Sequence, residues 1–218
     1  YCYHVKNVDN DLEIKGLLEK IPYGRNICVI GASLTGTELV GHLIDQGKFK
    51  ISVVDFLNRP LASFNSEISK QVSSFWVQNQ VTQYLSNKVT QVDSKNVHLL
   101  DKSKISYDVV FWCGGLKNNE LTQKINKLLK SNDSKGIHVS ESLEVSKISN
   151  CYAIGDCTTT KFPKTAQVAY QQGKYLANQF NTNFSNKNTF QFIDKGQICY
   201  LGKGRSAYQN NYIHYKHK

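Results

Sequence analysis

Residues 26–55 read NICVIGASLTGTELVGHLIDQGKFKISVVD, and this stretch decides the fold class. It opens on Asn26–Ile30, whose length and apolar run suit a buried strand, and it stops at Gly31. Leu39, Val40, Leu43 and Ile44 then recur at helical spacing, so a helix with one apolar face is expected over 35–45. Gly47 is its expected stop, because glycine enters the left-handed conformation without a steric penalty. A second strand is expected over 50–55. Strand, glycine turn, helix and strand make a βαβ unit, which implies parallel pairing and a right-handed crossover.

The turn inside this unit is Gly31-Ala32-Ser33-Leu34-Thr35-Gly36, a G-x-S-x-x-G loop that opens a helix. A dinucleotide-binding turn uses glycines to bend tightly, to let the backbone approach a pyrophosphate, and to pack helix on strand. The helix start adds unpaired N–H groups and the positive end of its dipole. Ser33 stands where the middle glycine would be, so its Cβ narrows the approach while its hydroxyl offers a donor. Taken alone, such turns are also common for structural reasons. Asp55 strengthens the reading, since it ends the next strand 24 residues after Gly31, where an acid accepts hydrogen bonds from ribose hydroxyls. A carboxylate there repels a 2′-phosphate and favours NAD over NADP, with Arg59 and Lys50 close enough in sequence to soften the preference.

Outward from this unit, Leu12, Ile14, Leu17 and Leu18 mark a short helix over 9–19 that ends before Pro22. Residues 81–110 alternate apolar and polar positions around turn signals at 93–96 and 101–104, the pattern of an antiparallel β-meander. A buried strand is expected over 107–113, running into Gly114-Gly115. Helix-like spacing covers 121–129, a strand is expected over 151–154, and a helix over 165–180 follows Pro163. Two strands are expected within 191–208, with Gly196, Gly202 and Gly204 between and after them, and 181–188 reads as a polar linker.

Charge and cysteine content bound the function. The 218 residues carry 27 Lys and Arg against 17 Asp and Glu, a net charge of +10 that favours anionic partners. An AT-rich coding bias toward Lys and Asn accounts for the same surplus, and no arginine-rich run with interleaved aromatics supports nucleic-acid binding. No apolar stretch approaches the ~18 residues of a membrane-spanning helix, and nothing at the start reads as a signal peptide. The chain opens on Tyr1 and contains no Met, and so reads as an internal piece of a longer protein. None of the six cysteines forms Cys-x-x-Cys, and no metal site is expected. Cys28, Cys113 and Cys199 lie in apolar runs as small core residues, whereas Cys151 and Cys157 flank a strand and its turn.

A second set of features lies further on. Gly155-Asp156 closes the expected strand, where Asp156 either accepts hydrogen bonds from polyol hydroxyls or caps the next turn. Thr165 is a good N-cap, and the small Ala166 leaves the first-turn amides of the helix accessible. Gln167 and Gln171 share one face of that helix, as two solvated glutamines also would.

In this order the features resemble the type II NADH dehydrogenases, single-subunit NADH:quinone oxidoreductases within the two-dinucleotide flavoprotein reductases. The most specific stretch is residues 163–180, PKTAQVAYQQGKYLANQF, and the resemblance runs from about residue 3 to 208. It implies an α/β, two-dinucleotide-binding flavoprotein fold: a Rossmann-like NAD domain with a β-meander, plus part of an FAD-binding domain. The expected divisions are 1–21 as a connecting segment of the FAD-binding domain, 22–115 as the NAD(H)-binding domain, 116–186 as the rest of the FAD-binding domain, and 187–218 as C-terminal strands. It also implies that FAD and NAD(H) are the cofactors and that a hydride passes from NADH to flavin, with electrons going on to a quinone.

By the same resemblance Gly31, Ala32, Ser33, Leu34, Thr35 and Gly36 would hold the NADH pyrophosphate, Asp55 its ribose and Glu38 the nicotinamide region. Gly114 and Gly115 would pass beside the same dinucleotide. Gly155 and Asp156 would bind FAD, Ala166 and Gln167 would meet its isoalloxazine ring, and Gln167, Tyr170 and Gln171 would border a quinone pocket. No residue is required as an acid or base for hydride transfer. A second G-x-G-x-x-G and the family's C-terminal amphipathic helices are missing, so a clipped enzyme is expected, one that holds FAD poorly as it stands. The whole protein would be a homodimer bound peripherally to a mitochondrial inner or bacterial cytoplasmic membrane, without nucleic acid. The rival readings are a reductase that uses ferredoxin, rubredoxin or oxygen as acceptor, and a non-enzymatic nucleotide- or nucleic-acid-binding relative.

Overall fold

The computed structural model describes residues 2–5, 8–131, 135–185, 188–210 and 214–216, with only the backbone described at 8–11 and 214–216. In chain order the elements begin β1 (Cys2–His4), α1 (Val8–Lys20), β2 (Asn26–Ile30), α2 (Leu34–Gln46), β3 (Lys50–Val54), α3 (Ser66–Gln78), β4 (Thr82–Tyr84), β5 (Val89–Val92), β6 (Asn96–Leu99), β7 (Lys104–Ser106) and β8 (Val109–Trp112). They continue with α4 (Glu120–Leu128), β9 (Ile137–His138), β10 (Thr158–Thr159), α5 (Ala166–Asn181), β11 (Gln197–Gly202), β12 (Arg205–Gln209) and β13 (His214–Lys216). The chain divides into two compact units, 1–115 with 195–218, and 116–194.

The first unit is built on a parallel sheet in the order β1-β8-β2-β3-β4. Alternation along its strands sorts the core into two layers, as the two-residue period of a strand requires. Ile27, Val29, Ile51, Val53, Val109 and Phe111 pack with residues of α1, α2 and α3, including Leu18, Leu43 and Trp76. Cys28, Ile30, Val54 and Val110 face the other way, against Val97, Leu99 and Ile105 of the antiparallel meander β5-β6-β7. Both faces are covered, which is why β2 and β3 read as nearly continuous apolar runs.

The C-terminal hairpin β11–β12 packs on α2. A Cβ on Gly41 would lie 2.7 Å from the Leu201 carbonyl carbon, so the helix and the hairpin approach backbone to backbone. Tyr200 Oη and the Lys203 N–H both donate to Asp45 at 2.6 Å. Of the expected connecting segment 1–21 and C-terminal strands 187–218, residues 1–21 and 195–218 group with the first compact unit and 187–194 with the second. β1 extends the sheet beside β8, and the hairpin is tied to α2.

In the second unit β9 and β10 pair in parallel, and Val168, Leu176, Leu143 and Phe190 form its core. The strand expected over 151–154 reduces to one isolated bridge between Glu144 and Tyr152. The expected linker is partly packed, since the Phe184 ring stacks on Tyr152 at 5.1 Å. Its positions 186 and 187, and 211–213 and 217–218 of the tail, lie outside the described residues.

The remaining expectations hold closely. Helices run over α1, α2, α4 and α5 within a few residues of the expected bounds, and Gly47 ends α2 at φ 61°. Of the two late strands, Gly196 precedes the first, Gly202 ends it and Gly204 lies in the turn. α3 is an addition that sequence reading passed over, although Ile68, Val72, Phe75 and Trp76 are buried at helical spacing and Asn65 caps its start.

Candidate functional site

The register Ile30↔Val54 and Ile30↔Trp112 brings the carboxyl ends of β2, β3 and β8 side by side. From β2 the chain crosses to β3 on one side, while β8 lies on the other. Such a switch point opens a crevice beyond the strand ends. A cavity of about 490 Å³ occupies this crevice. Gly31, Ala32 and Ser33 line its centre, Trp112, Gly114 and Gly115 the β8 side, and Val54, Asp55, Phe56 and Leu57 the β3 side. Arg59, Ala62, Ser63 and the segment Asn87-Lys88-Val89 complete it.

Close backbone contacts explain the glycines. Gly31 sits at φ 105°, and a Cβ there would stand 2.9 Å from the Gly114 nitrogen. A Cβ on Gly36 would collide with the Gly31 carbonyl oxygen, so this glycine seats α2 against the turn. Ser33 is the N-cap residue of α2, yet its side chain makes no capping hydrogen bond. Ser33 is exposed and lines the cavity at the start of the helix. That combination offers N–H groups and a positive dipole end to an anion. Trp112 Nε1 donates to the Gly114 carbonyl at 2.8 Å and holds the opposite rim.

Asp55 is 9% exposed. Its Oδ2 accepts from the Ala32 N–H at 2.6 Å and its Oδ1 from the Leu57 N–H at 2.8 Å. The acid thus ties the glycine turn to the end of β3, and each oxygen keeps a further lone pair. Arg59 also lines the cavity, with its guanidinium donating to Ser69 Oγ and the Ala62 carbonyl. Lys50 begins β3 and so lies at the far end of that strand from Asp55, outside the cavity lining.

Not every expected residue converges here. Leu34 packs against the core, Thr35 is exposed, and Thr35 and Glu38 line a separate groove with Ile14, Leu18 and His42. Glu38 Oε1 lies 3.5 Å from the Tyr200 nitrogen. Glu38, expected at the nicotinamide region, thus lies outside the lining of the cavity at the strand ends.

In the second unit, Gly155 takes φ 75° in a 3₁₀ turn over Gly155–Cys157, and the Asp156 side chain is exposed. Gly155 N–H donates to Gln172 Oε1 at 2.7 Å, and Gln172 is fully buried. Lys164 Nζ bridges the Asp156 and Lys135 carbonyls. Thr165 caps α5 by accepting from the Val168 N–H at 3.3 Å, as the sequence suggested. Ala166 is exposed and Gln167 half-buried. Tyr170 is 65% exposed.

Gln171, expected at a quinone pocket, clamps the chain at Ile193, donating to its carbonyl at 2.8 Å and accepting from its N–H at 2.9 Å. Gln172 was missed, although it falls on the buried stripe Val168, Gln172, Leu176, Gln179, where a polar residue in an apolar register is itself the signal. Its Nε2 has no partner among the described residues. Burial pushes the Cys28, Cys113 and Cys199 thiols up to about 12, in keeping with inert core positions. All six cysteines are free thiols.

The comparisons agree with this geometry. Over 70% of the chain, 29% of residues are identical to a probable mitochondrial NADH-ubiquinone oxidoreductase of Schizosaccharomyces pombe, of which the match covers 32%. A type II NADH:quinone oxidoreductase of Staphylococcus aureus is 24% identical over 84% of this chain and 51% of its own length. The chain thus spans about a third to a half of the curated relatives it matches. The fold superposes on all of this chain and 67% of Plasmodium falciparum NDH2, solved in complex with NADH, at a TM-score of 0.88 and 22% identity. A ferredoxin reductase from Rhodopseudomonas palustris shares the fold at a TM-score of 0.79 and 18% identity, over 94% of this chain and 51% of that one. A family model matches residues 1–173, so with its parallel sheet, glycine turn and switch-point cavity the chain belongs to the pyridine nucleotide-disulphide oxidoreductases.

Proposed function

We propose that this chain is the NADH-binding unit and part of the flavin-binding unit of an FAD-dependent NADH:quinone oxidoreductase of type II. The observation that carries the reading is the cavity at the carboxyl ends of β2, β3 and β8, lined by the glycine turn and by Ser33, the N-cap residue of α2 whose side chain makes no capping hydrogen bond. The names of the relatives from Schizosaccharomyces and Staphylococcus support the quinone acceptor.

When bound, NADH supplies the hydride and FAD the ring that takes it and passes electrons on. The residues of this chain bind and orient. The amides at the start of α2 and the Ser33 hydroxyl face the pyrophosphate, with Gly31 and Gly36 keeping the backbone close. The remaining lone pairs of Asp55 accept the ribose hydroxyls. Gly114 and Gly115, held through Trp112, border the nicotinamide half.

In the second unit, the exposed Asp156 accepts polyol hydroxyls, and the first turn of α5 at Ala166 and Gln167 presents its dipole to a reduced flavin, worth about 0.3–1 kcal/mol at an exposed position. Behind Gly155, the buried Gln172 accepts the Gly155 N–H and holds the turn that carries Asp156. Gln167 and Tyr170 remain as quinone contacts, with Gln171 held on Ile193. Peripheral attachment to a mitochondrial inner or bacterial cytoplasmic membrane and a homodimer belong to the same reading of the whole protein. Among the described residues, no helix is long and apolar enough to cross a membrane.

The test is NADH oxidation by the full-length, FAD-loaded protein with a short-chain quinone, with ferredoxin and oxygen as competing acceptors. Quinone-dependent turnover is expected. Preference for ferredoxin or oxygen would move the protein to another branch of the family. Absence of NADH binding, with DNA binding that weakens steeply with salt, would overturn the enzyme reading.

A further inference from the structure

Phe56 follows Asp55 directly, lines the cavity, and is 71% exposed. It belongs to none of the apolar clusters, and among the described residues no aromatic ring or cation pairs with it. A phenyl ring left in water at the rim of a cavity gains nothing for the fold, since burial is what makes such a side chain stabilising.

The polar side chains around it are mostly spent on the protein itself. Arg59 holds Ser69 and Ala62, Ser63 Oγ lies 3.4 Å from Gln197 Oε1, and Asn87 Nδ2 donates to Asp101. Lys88, an exposed cation, offers charge without shape. This end of the cavity is therefore poorly equipped to read the edge of a base and well equipped to meet its face, with Leu57 and Val89 as further apolar wall.

The sheet order sets which end this is. β3 and β8 flank β2, two strand spacings or about 10 Å from each other, so Phe56 and Trp112 stand on opposite sides of the glycine turn. A dinucleotide, with a ring at each end and its pyrophosphate between, matches that layout.

We propose that Phe56 is the platform on which the adenine of the bound dinucleotide stacks, so that this chain holds the base through its face and not its edge. The inference rests on the dinucleotide reading above. It makes Phe56 a specificity-determining residue for flat bases and leaves adenine and hypoxanthine nearly indistinguishable.

The experiment is titration of this chain with ADP-ribose and its hypoxanthine counterpart, for wild type, Phe56→Ala, Phe56→Leu and Phe56→Tyr, with the adenine H2 and H8 shifts followed by NMR. Phe56→Ala and Phe56→Leu are expected to weaken ADP-ribose by about tenfold. They should also abolish an upfield ring-current shift that Phe56→Tyr restores. Hypoxanthine should bind wild type within about threefold of adenine, as a face contact requires. Exposure of the ring means the variants fold as wild type does. Wild-type binding that Phe56→Ala and Phe56→Leu leave unchanged, or a strong preference between the two bases, would overturn the platform alone. Failure of wild type to bind ADP-ribose would overturn the dinucleotide reading and the platform together.

Discussion

Asp55 Oδ2 accepts the backbone N–H of Ala32 at 2.6 Å, so the acid at the end of β3 is a structural part of the glycine turn it faces. The same carboxylate takes the Leu57 N–H on its other oxygen. One side chain therefore shapes the turn and, in the proposed function, meets the ribose.

Two effects separate in variants of Asp55. Asp55→Asn keeps the shape but turns an NH₂ group toward one of two backbone N–H donors. A loss of about 1–3 kcal/mol in unfolding free energy is expected for the buried donor left unpaired, read by urea denaturation. Removing the charge also removes repulsion of a 2′-phosphate, so the affinity for NADPH relative to NADH should rise. An unchanged cofactor ratio would take Asp55 out of the ribose role while leaving its structural one.

Alanine at three glycines should give three different results. Gly36→Ala drives a Cβ into the Gly31 carbonyl oxygen, and a chain that fails to fold, or melts far below wild type, is expected. Gly41→Ala forces β11 away from α2, which should speed tryptic cleavage in the Lys203–Arg205 turn. Gly16 lies inside α1 with nothing within 4 Å of an added Cβ, and Gly16→Ala should stabilise by up to about 1 kcal/mol in thermal unfolding.

Neighbouring glutamines on α5 should differ in cost. Gln172→Leu strands the Gly155 N–H beside a buried side chain, and about 1–3 kcal/mol of stability should be lost. Gln171→Leu releases the Ile193 backbone to water and should cost less, on the order of 1 kcal/mol. Equal costs would contradict the burial difference between them.

Raised thiols give stability a defined alkaline limb. Cys28, Cys113 and Cys199 titrate near 12 when folded, against about 8.5 for an unfolded thiol. Their contribution is fully present below pH about 8.5 and declines as pH rises toward 12, because only the unfolded chain loses these protons early. A fall in melting temperature over that window is expected. At neutral pH a thiol reagent should label Cys2, Cys151 and Cys157 in the folded chain, and the other three only after unfolding. At the acid end, hydrogen bonds from His98 and from the Lys95 and Asn96 amides hold Asp93 down to about 2. That contribution is present above pH about 4 and lost as pH falls toward 2.

Local pattern carried much of the result. The βαβ unit, the turn with its glycines, Asp55, the meander and the Thr165 cap were all legible, because each depends on residues near one another in sequence. α3 was equally legible, with its buried side chains at helical spacing, and was passed over. What the sequence left unread was of another kind. Glu38 lines a groove with Ile14 and His42, and Gln171 holds the Ile193 backbone. Phe56 gave no signal, since an aromatic after a strand is ordinarily core.

From its sequence alone this protein is a βαβ-based nucleotide-type fold, since hydrophobic period and glycine placement dictate strand, turn and helix over short spans. Tertiary structure alone decided which residues meet. The β1-β8-β2-β3-β4 order sets Trp112 and Phe56 on either side of Gly31, and the packing of β11 on α2 joins residues 195–218 to the first unit. Those outcomes depend on strand pairing and backbone contact between segments far apart in the chain, which no local periodicity encodes.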